Sequence, residues 1–251
     1  MMKIFTFILI TGLALGHPGV TQTQFDHSLF DKLLKTHVDA DGWVDYDGFL
    51  KDKATLTKYL EALKANPPKE DSWSDDEQLA YWINAYNAFT IDLVLQHYPV
   101  KSIKDIGSKI QIPFVNSPWD IKFIEINGKK MDLNNIEHGI IRKKFDEPRI
   151  HFAVNCASYS CPLLRNEAFI ASKLDSQLEE QTKKFINDPK RNRFSGKKAQ
   201  LSKIFSWYGG DFTKNGSLKE YIAKYADAEV TKSTKISYLN YQWQLNSIQN
   251  K

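Results

Sequence analysis

Cysteine is scarce in this chain of 251 residues: there are two, Cys156 and Cys161. Two thiols cannot build the multi-bridge framework that staples small secreted domains, so the fold must rest on a hydrophobic core. Charge of one sign is also lacking. With 34 basic residues against 30 acidic, the formal net charge is +4, whereas nucleic-acid-binding domains concentrate Lys and Arg on one face. The balance argues against a nucleic-acid partner. No apolar run beyond the N-terminus approaches the roughly twenty residues that span a bilayer, so no transmembrane segment is expected in the mature protein. Internal repeats and low-complexity linkers are missing as well. What remains, 42% hydrophobic and 25% charged residues, is ordinary globular composition.

The N-terminus carries the clearest pattern. Lys3 precedes the apolar run Ile4 to Leu15, and Ala14-Leu15-Gly16 places small residues where a signal peptidase cuts. This predicts a signal peptide over 1–16 and a single globular domain over 17–251, exported to a periplasm or secreted. A run of about a dozen residues is short for a membrane anchor, and no Cys follows it to take a lipid.

Apolar spacing predicts a helix over Phe25 to His37, then the turn DADG and an extended piece, Trp43 to Tyr46. An EF-hand loop starting in that turn would put Trp43 and Leu50 at ligand positions, which argues against calcium and for a plain turn. A second helix is predicted over Leu50 to Leu63. A third opens with Ser74 and Glu77 in capping-box spacing and runs to His97. Its apolar residues face nearly every direction, so it should be buried on most sides and central. Asn84 and Asn87 lie on one face of it, as clamps for other backbone or as site lining. Further on, Asn127-Gly128 predicts a hairpin, and Asp132 to Phe145 a helix with Glu137 inside its apolar arc and His138 at the edge. Glu137 then needs a partner, an imidazole or an arginine such as Arg149. The run Ile150 to Asn155 reads as a strand leading into a small-residue loop between Cys156 and Cys161. The fold class expected is α+β: a buried helix over 75–97 packed on a small mixed or antiparallel sheet that includes Ile150 to Asn155.

The strings YWINAYNAFTI, IEHGIIRKKF, PRIHFAVNCASYSCP, LSKIFSWYGGDF and YLNYQWQLN, in this order over roughly 79–245, resemble the domain of unknown function 547 family. The resemblance implies little about activity. It draws attention to Glu137, His138, His151, Cys156 and Cys161, and it implies that Trp207 and Asp211 belong to a motif.

Two function classes follow from the cysteine loop. In one, Cys156 and Cys161 form a disulfide that shapes the loop of a non-enzymatic envelope binding protein, since an oxidising compartment favours bridging an even count. In the other, one cysteine is the nucleophile of a hydrolase or acyl transferase, activated by His138 with Glu137 or by His151 with Asn155. Strand alternation would put His151 and Cys156 on opposite faces, which favours His138 as the base. Backbone amides of Ala157 to Ser160 would hold the oxyanion. A zinc site of Cys156, Cys161, His138 and His151 lacks any HxxxH or second CxxC, so neither metal nor cofactor is assigned. Expected partners are a small molecule, a peptide or a glycan, with Asn84, Asn87, Trp207 and Asp211 as weaker candidates for binding.

Overall fold

In the computed structural model, described for residues 25–110, 112 and 115–251, the chain winds around one helix. The predicted signal peptide lies outside the described residues. The central helix, α4 (Asp75–His97), begins at the capping box read from the sequence: Ser74 Oγ accepts from Glu77 N at 3.2 Å, and Glu77 Oε2 accepts from Ser74 N at 2.7 Å. Residues 78–91 are buried without exception, as an apolar pattern without a polar face demands. Three helices precede it, α1 (Ser28–His37), α2 (Tyr46–Lys51) and α3 (Lys53–Ala65). The single helix predicted over Leu50 to Leu63 is two elements, broken where Asp52 accepts from Thr55 and Leu56. Among the described residues no helix is long and apolar enough to cross a membrane.

After α4 come the predicted hairpin, β1 (Ile124–Ile126) and β2 (Lys129–Met131), turned at Asn127 and Gly128 with φ of 52° and 68°. The next helix is wound as a π-helix over Asn135–Ile141, closing into the short turn α5 (Arg142–Lys144). Helix α6 (Leu174–Ile186) leads into a mixed three-stranded sheet. There β3 (Arg193–Ser195) pairs antiparallel with β4 (Lys198–Leu201), and β5 (Lys235–Tyr238) pairs parallel with β4. Between β4 and β5 lie α7 (Ile204–Trp207), α8 (Gly209–Phe212) and α9 (Leu218–Ala223). Helices with small sheets make this an α+β fold.

One expectation is corrected: Ile150 to Asn155 is not a strand, and the central helix does not pack on a sheet containing it. Pro148–Phe152 forms a 3-10 turn, followed by irregular backbone. The apolar run signalled burial, which a short run announces without fixing its period. Where a sheet would supply hydrogen bonds, side-chain amides of α4 do so. Asn87 Nδ2 donates to Ala153 O at 2.9 Å, while Asn155 N donates to Asn87 Oδ1 at 2.8 Å. Asn84 holds Phe169 in the same two-sided way, at 2.7 and 3.0 Å. Both asparagines are therefore clamps in the core and do not line the cavity. The three-stranded sheet instead belongs to a second apolar cluster, Phe152, Phe185, Leu201, Phe205 and Phe212 among it, beside the main core around α4.

Candidate functional site

The backbone that carries Cys156 is fixed from several directions. Just after it, Ala157 takes a φ of 60°, a left-handed conformation that costs an ordinary residue about 1–2 kcal/mol. Asn155 Oδ1 accepts from Ala157 N at 2.8 Å, and Asn246 N donates to Ala157 O at 3.1 Å, holding that conformation. The buried Arg191 donates to Cys161 O at 2.7 Å and to Tyr159 O at 3.0 Å. The C-terminal segment completes the frame: Tyr159 N donates to Gln244 O at 2.7 Å and Ser160 N to Gln242 O at 3.2 Å.

Both cysteines are free thiols in this frame. Cys156 N donates to Cys161 Sγ at 2.9 Å, and Cys156 Sγ lies 3.1 Å from Ser158 Oγ and 3.3 Å from the Tyr241 hydroxyl. A hydrogen bond from Cys161, helped by Ser158 and Tyr241 and opposed by burial, lowers the Cys156 thiol to about 7. Burial pushes the Cys161 thiol up. The pair therefore divides its roles, one sulfur ready to ionise and the other held protonated as its donor.

A charged wall stands across from this loop. The π-helix and α5 supply Glu137, His138 and Arg142, the 3-10 turn supplies His151, and the segment around α8 supplies Tyr208 and Asp211. A π-turn inside a helix is rare and recurs at functional sites. Asp211 Oδ2 accepts from both His151 Nε2 and Arg142 Nε, each at 2.7 Å. The hydrogen bond from His151, with Arg142 beside it, holds the Asp211 carboxyl far below the usual carboxylate range despite partial burial. His151 is 3% exposed, and that burial lowers its pKa. Its Nε2 proton faces Asp211, so neutral Nδ1 is a lone pair, and it has no hydrogen-bond partner among the described residues. The ring is clamped by Tyr208, stacked 3.9 Å away between centroids. Tyr208 in turn hydrogen-bonds Glu137, and the Arg142 guanidinium lies 5.0 Å over its ring.

The two walls enclose a cavity of about 520 Å³, within the range of small-molecule sites. Glu137, His138, Arg142, His151, Cys156, Cys161 and Trp207 all line it. The expected pairing of His138 with Cys156 is not made: the thiol bonds Ser158 and Tyr241, while His138 Nδ1 accepts from Arg142 at 2.9 Å. His151 and Cys156 share the cavity because the backbone between them is not extended, which undoes the alternation argument. Arg149 is likewise no partner of Glu137, since it bonds Glu147 at 2.6 Å and Asp175 at 2.9 Å. Asn155, considered as an orienting group for His151, instead braces the loop through Pro162 O at 2.6 Å and Ala157 N.

The sequence reading overlooked Arg142, Tyr208, Ser158 and Tyr241. Arg142 lies four residues after His138, a spacing that would have marked it, whereas Tyr241 is 85 residues from Cys156 and gave no local signal. Among the described residues no group of three or more His, Cys, Asp or Glu is placed to hold a metal ion.

The family model described as a protein of unknown function, DUF547, matches residues 70–186. This span contains both cysteines, His138, His151 and the two clamping asparagines, and it supports the resemblance read from the motifs. No curated protein and no solved structure matches the chain.

Proposed function

We propose that the protein is a cysteine-dependent hydrolase or acyl transferase in which Cys156 is the nucleophile, His151 its base, and Asp211 the group that holds the imidazole. The observation that carries this reading is the buried His151, which lines the cavity shared with Cys156, is bonded through Nε2 to Asp211 at 2.7 Å and has no hydrogen-bond partner for Nδ1 among the described residues. That is the order of nucleophile, base and orienting carboxylate that thiol chemistry uses. No imidazole is among the hydrogen-bond partners of Cys156, and such contacts are commonly long in an empty site and tighten around substrate.

In the reaction the Cys156 sulfur bonds to an acyl carbonyl carbon as its proton passes to His151 Nδ1, and the carbonyl π electrons move to oxygen. Collapse of that oxyanion breaks the bond to the leaving group, which takes the proton from His151. Water or an acceptor amine or alcohol then releases the acyl group by the same steps. Asp211 stays ionised and stabilises the imidazolium. The leader-like N-terminus supports export, and the same proposal puts this chemistry outside the cytoplasm.

Thiol counting tests it directly. Native protein treated with iodoacetamide at pH 7.5 should be modified at Cys156 first, and Cys156→Ala should remove both that label and acylation by p-nitrophenyl acetate. Thiols that appear only after reduction would instead support a loop shaped by a disulfide and a binding function.

A further inference from the structure

Three of the four loop amides expected to hold an oxyanion, those of Ala157, Tyr159 and Ser160, donate instead to Asn155 Oδ1, Gln244 O and Gln242 O. The donors nearest the chemistry gather on the attacking sulfur itself. Ser158 donates its backbone N–H to Cys156 Sγ, and the hydroxyls of Ser158 and Tyr241 lie 3.1 and 3.3 Å from that sulfur and 2.9 Å from each other. A thiolate only accepts, so two hydroxyl protons serve these three contacts. The phenol is the more acidic O–H; with Ser158 donating to the phenol oxygen, the Tyr241 proton points to the sulfur. Ser158 is 1% exposed and does not line the cavity, whereas Tyr241 does. The Tyr241 ring is braced against Trp207 and Trp243, at 4.8 and 4.5 Å between centroids, which fixes its hydroxyl beside the nucleophile. Burial beside Cys156 pushes the phenol well up, so it keeps its proton.

Charge moves during acylation. It begins on sulfur, and once the S–C bond forms it sits on the former carbonyl oxygen, one bond beyond the carbon joined to that sulfur. A donor in contact with the sulfur is therefore a short swing from the oxyanion. It also gains by the move, because an O–H bond to a compact oxygen anion is shorter and stronger than one to a large, diffuse thiolate. Stabilisation that grows from ground state to transition state raises the rate. Lys104 and the indoles of Trp119, Trp207 and Trp243 line the same cavity and carry N–H donors as well. The choice of Tyr241 rests on its contact with the attacking sulfur, and variants of Lys104 and Trp243 test the others.

Building on the proposed thiol chemistry, we infer that Tyr241 is a catalytic residue whose hydroxyl turns from the Cys156 sulfur to the oxyanion as the acyl intermediate forms, with Ser158 as the positioning residue that orients it. The S–C bond forms, the carbonyl π electrons move to oxygen, and the phenol keeps its proton throughout. Acylation by p-nitrophenyl acetate passes through an oxyanion, whereas alkylation by iodoacetamide displaces iodide at a saturated carbon and forms none. Full pH–rate profiles of Tyr241→Phe separate the two roles of the hydroxyl. Loss of its bond to the thiolate should move the midpoints of both reactions upward. Above them, the acylation plateau should fall about 10²-fold while the alkylation plateau stays within about twofold of wild type. Ser158→Ala, which keeps the phenol but loses its orienting bond, should lower the acylation plateau about tenfold and serves if the phenylalanine variant folds poorly. Lys104→Met and Trp243→Phe should lower it less than Tyr241→Phe does. An unchanged acylation plateau in Tyr241→Phe, an equal fall in both reactions, or a larger fall in Lys104→Met or Trp243→Phe would overturn the inference. Wild-type protein alkylated at Cys156 but never acylated would overturn it as well, and absence of both reactions would take down the thiol reading beneath it.

Discussion

The two walls of the cavity are held in place by different physics. The cysteine loop is fixed by hydrogen bonds to its backbone, from the Asn155 amide, the Arg191 guanidinium and the segment around 242–246, and it carries one thiol near neutrality. The facing wall is fixed by charge and stacked rings, with Asp211 bonded to His151 and Arg142 and with Tyr208 flat against His151. Bonds to backbone set position and lose most when one partner is left buried and unpaired. Ionic contacts at a partly open cavity set protonation state and are worth more to chemistry than to stability. Damage to the first wall should therefore unfold or loosen the protein, and damage to the second should silence it while leaving it folded.

The strongest test of that contrast is Asp211→Asn. With His151 no longer held in its tautomer, acylation of Cys156 should fall at least about 10²-fold, while the denaturant midpoint moves little. A large loss of stability would show that the charged wall is structural after all. Asn87→Ala probes the opposite wall. It strands Ala153 O and Asn155 N in the core, and two buried unpaired groups should cost about 2–5 kcal/mol in urea unfolding, with rate constants of the surviving folded fraction much less affected.

A smaller effect comes from pH. Alkylation of Cys156 should rise through a midpoint near 7, as the thiolate forms. Cys161→Ala removes the first cause of that low value and should move the midpoint upward; an unmoved midpoint would deny Cys161 its donor role. The same thiol contributes to stability with a definite sign. Its folded pKa is lowered, so between about 7 and its ordinary value the unfolded chain binds more proton, and the contribution present at high pH is lost as pH falls through 7. His151, also lowered but by burial, adds a loss of stability on the acid side of its ordinary value near 6.5. Smallest should be Arg149→Ala, which breaks pairs with Glu147 and Asp175 away from the cavity. It should leave the alkylation rate of Cys156 unchanged.

How much of this was legible in the sequence followed the range of each interaction. The buried helix and its capping box are local patterns, and both stand in the structure at Asp75–His97. The hairpin at Asn127-Gly128 was equally local. The strand assigned to Ile150 to Asn155 failed because its hydrogen-bond partners are side chains of a helix some 66–68 residues away. The π-turn at Asn135–Ile141 was read as ordinary helix, since nothing in its apolar spacing distinguishes the wider winding. Six cavity residues are legible from chemistry and motif, but their pairing is not, because Asp211 reaches His151 across 60 positions.

The frame of the cysteine loop is completed by residues near the end of the chain. Ser158 pairs with Leu245 in an isolated bridge, and Asn246 joins Ala157 to Tyr46. The loop that carries the nucleophile is thus held by a strap over 242–246, so a cut in the backbone between Asp211 and Tyr241 would part Cys156, His151 and Asp211 from the residues that seat the loop.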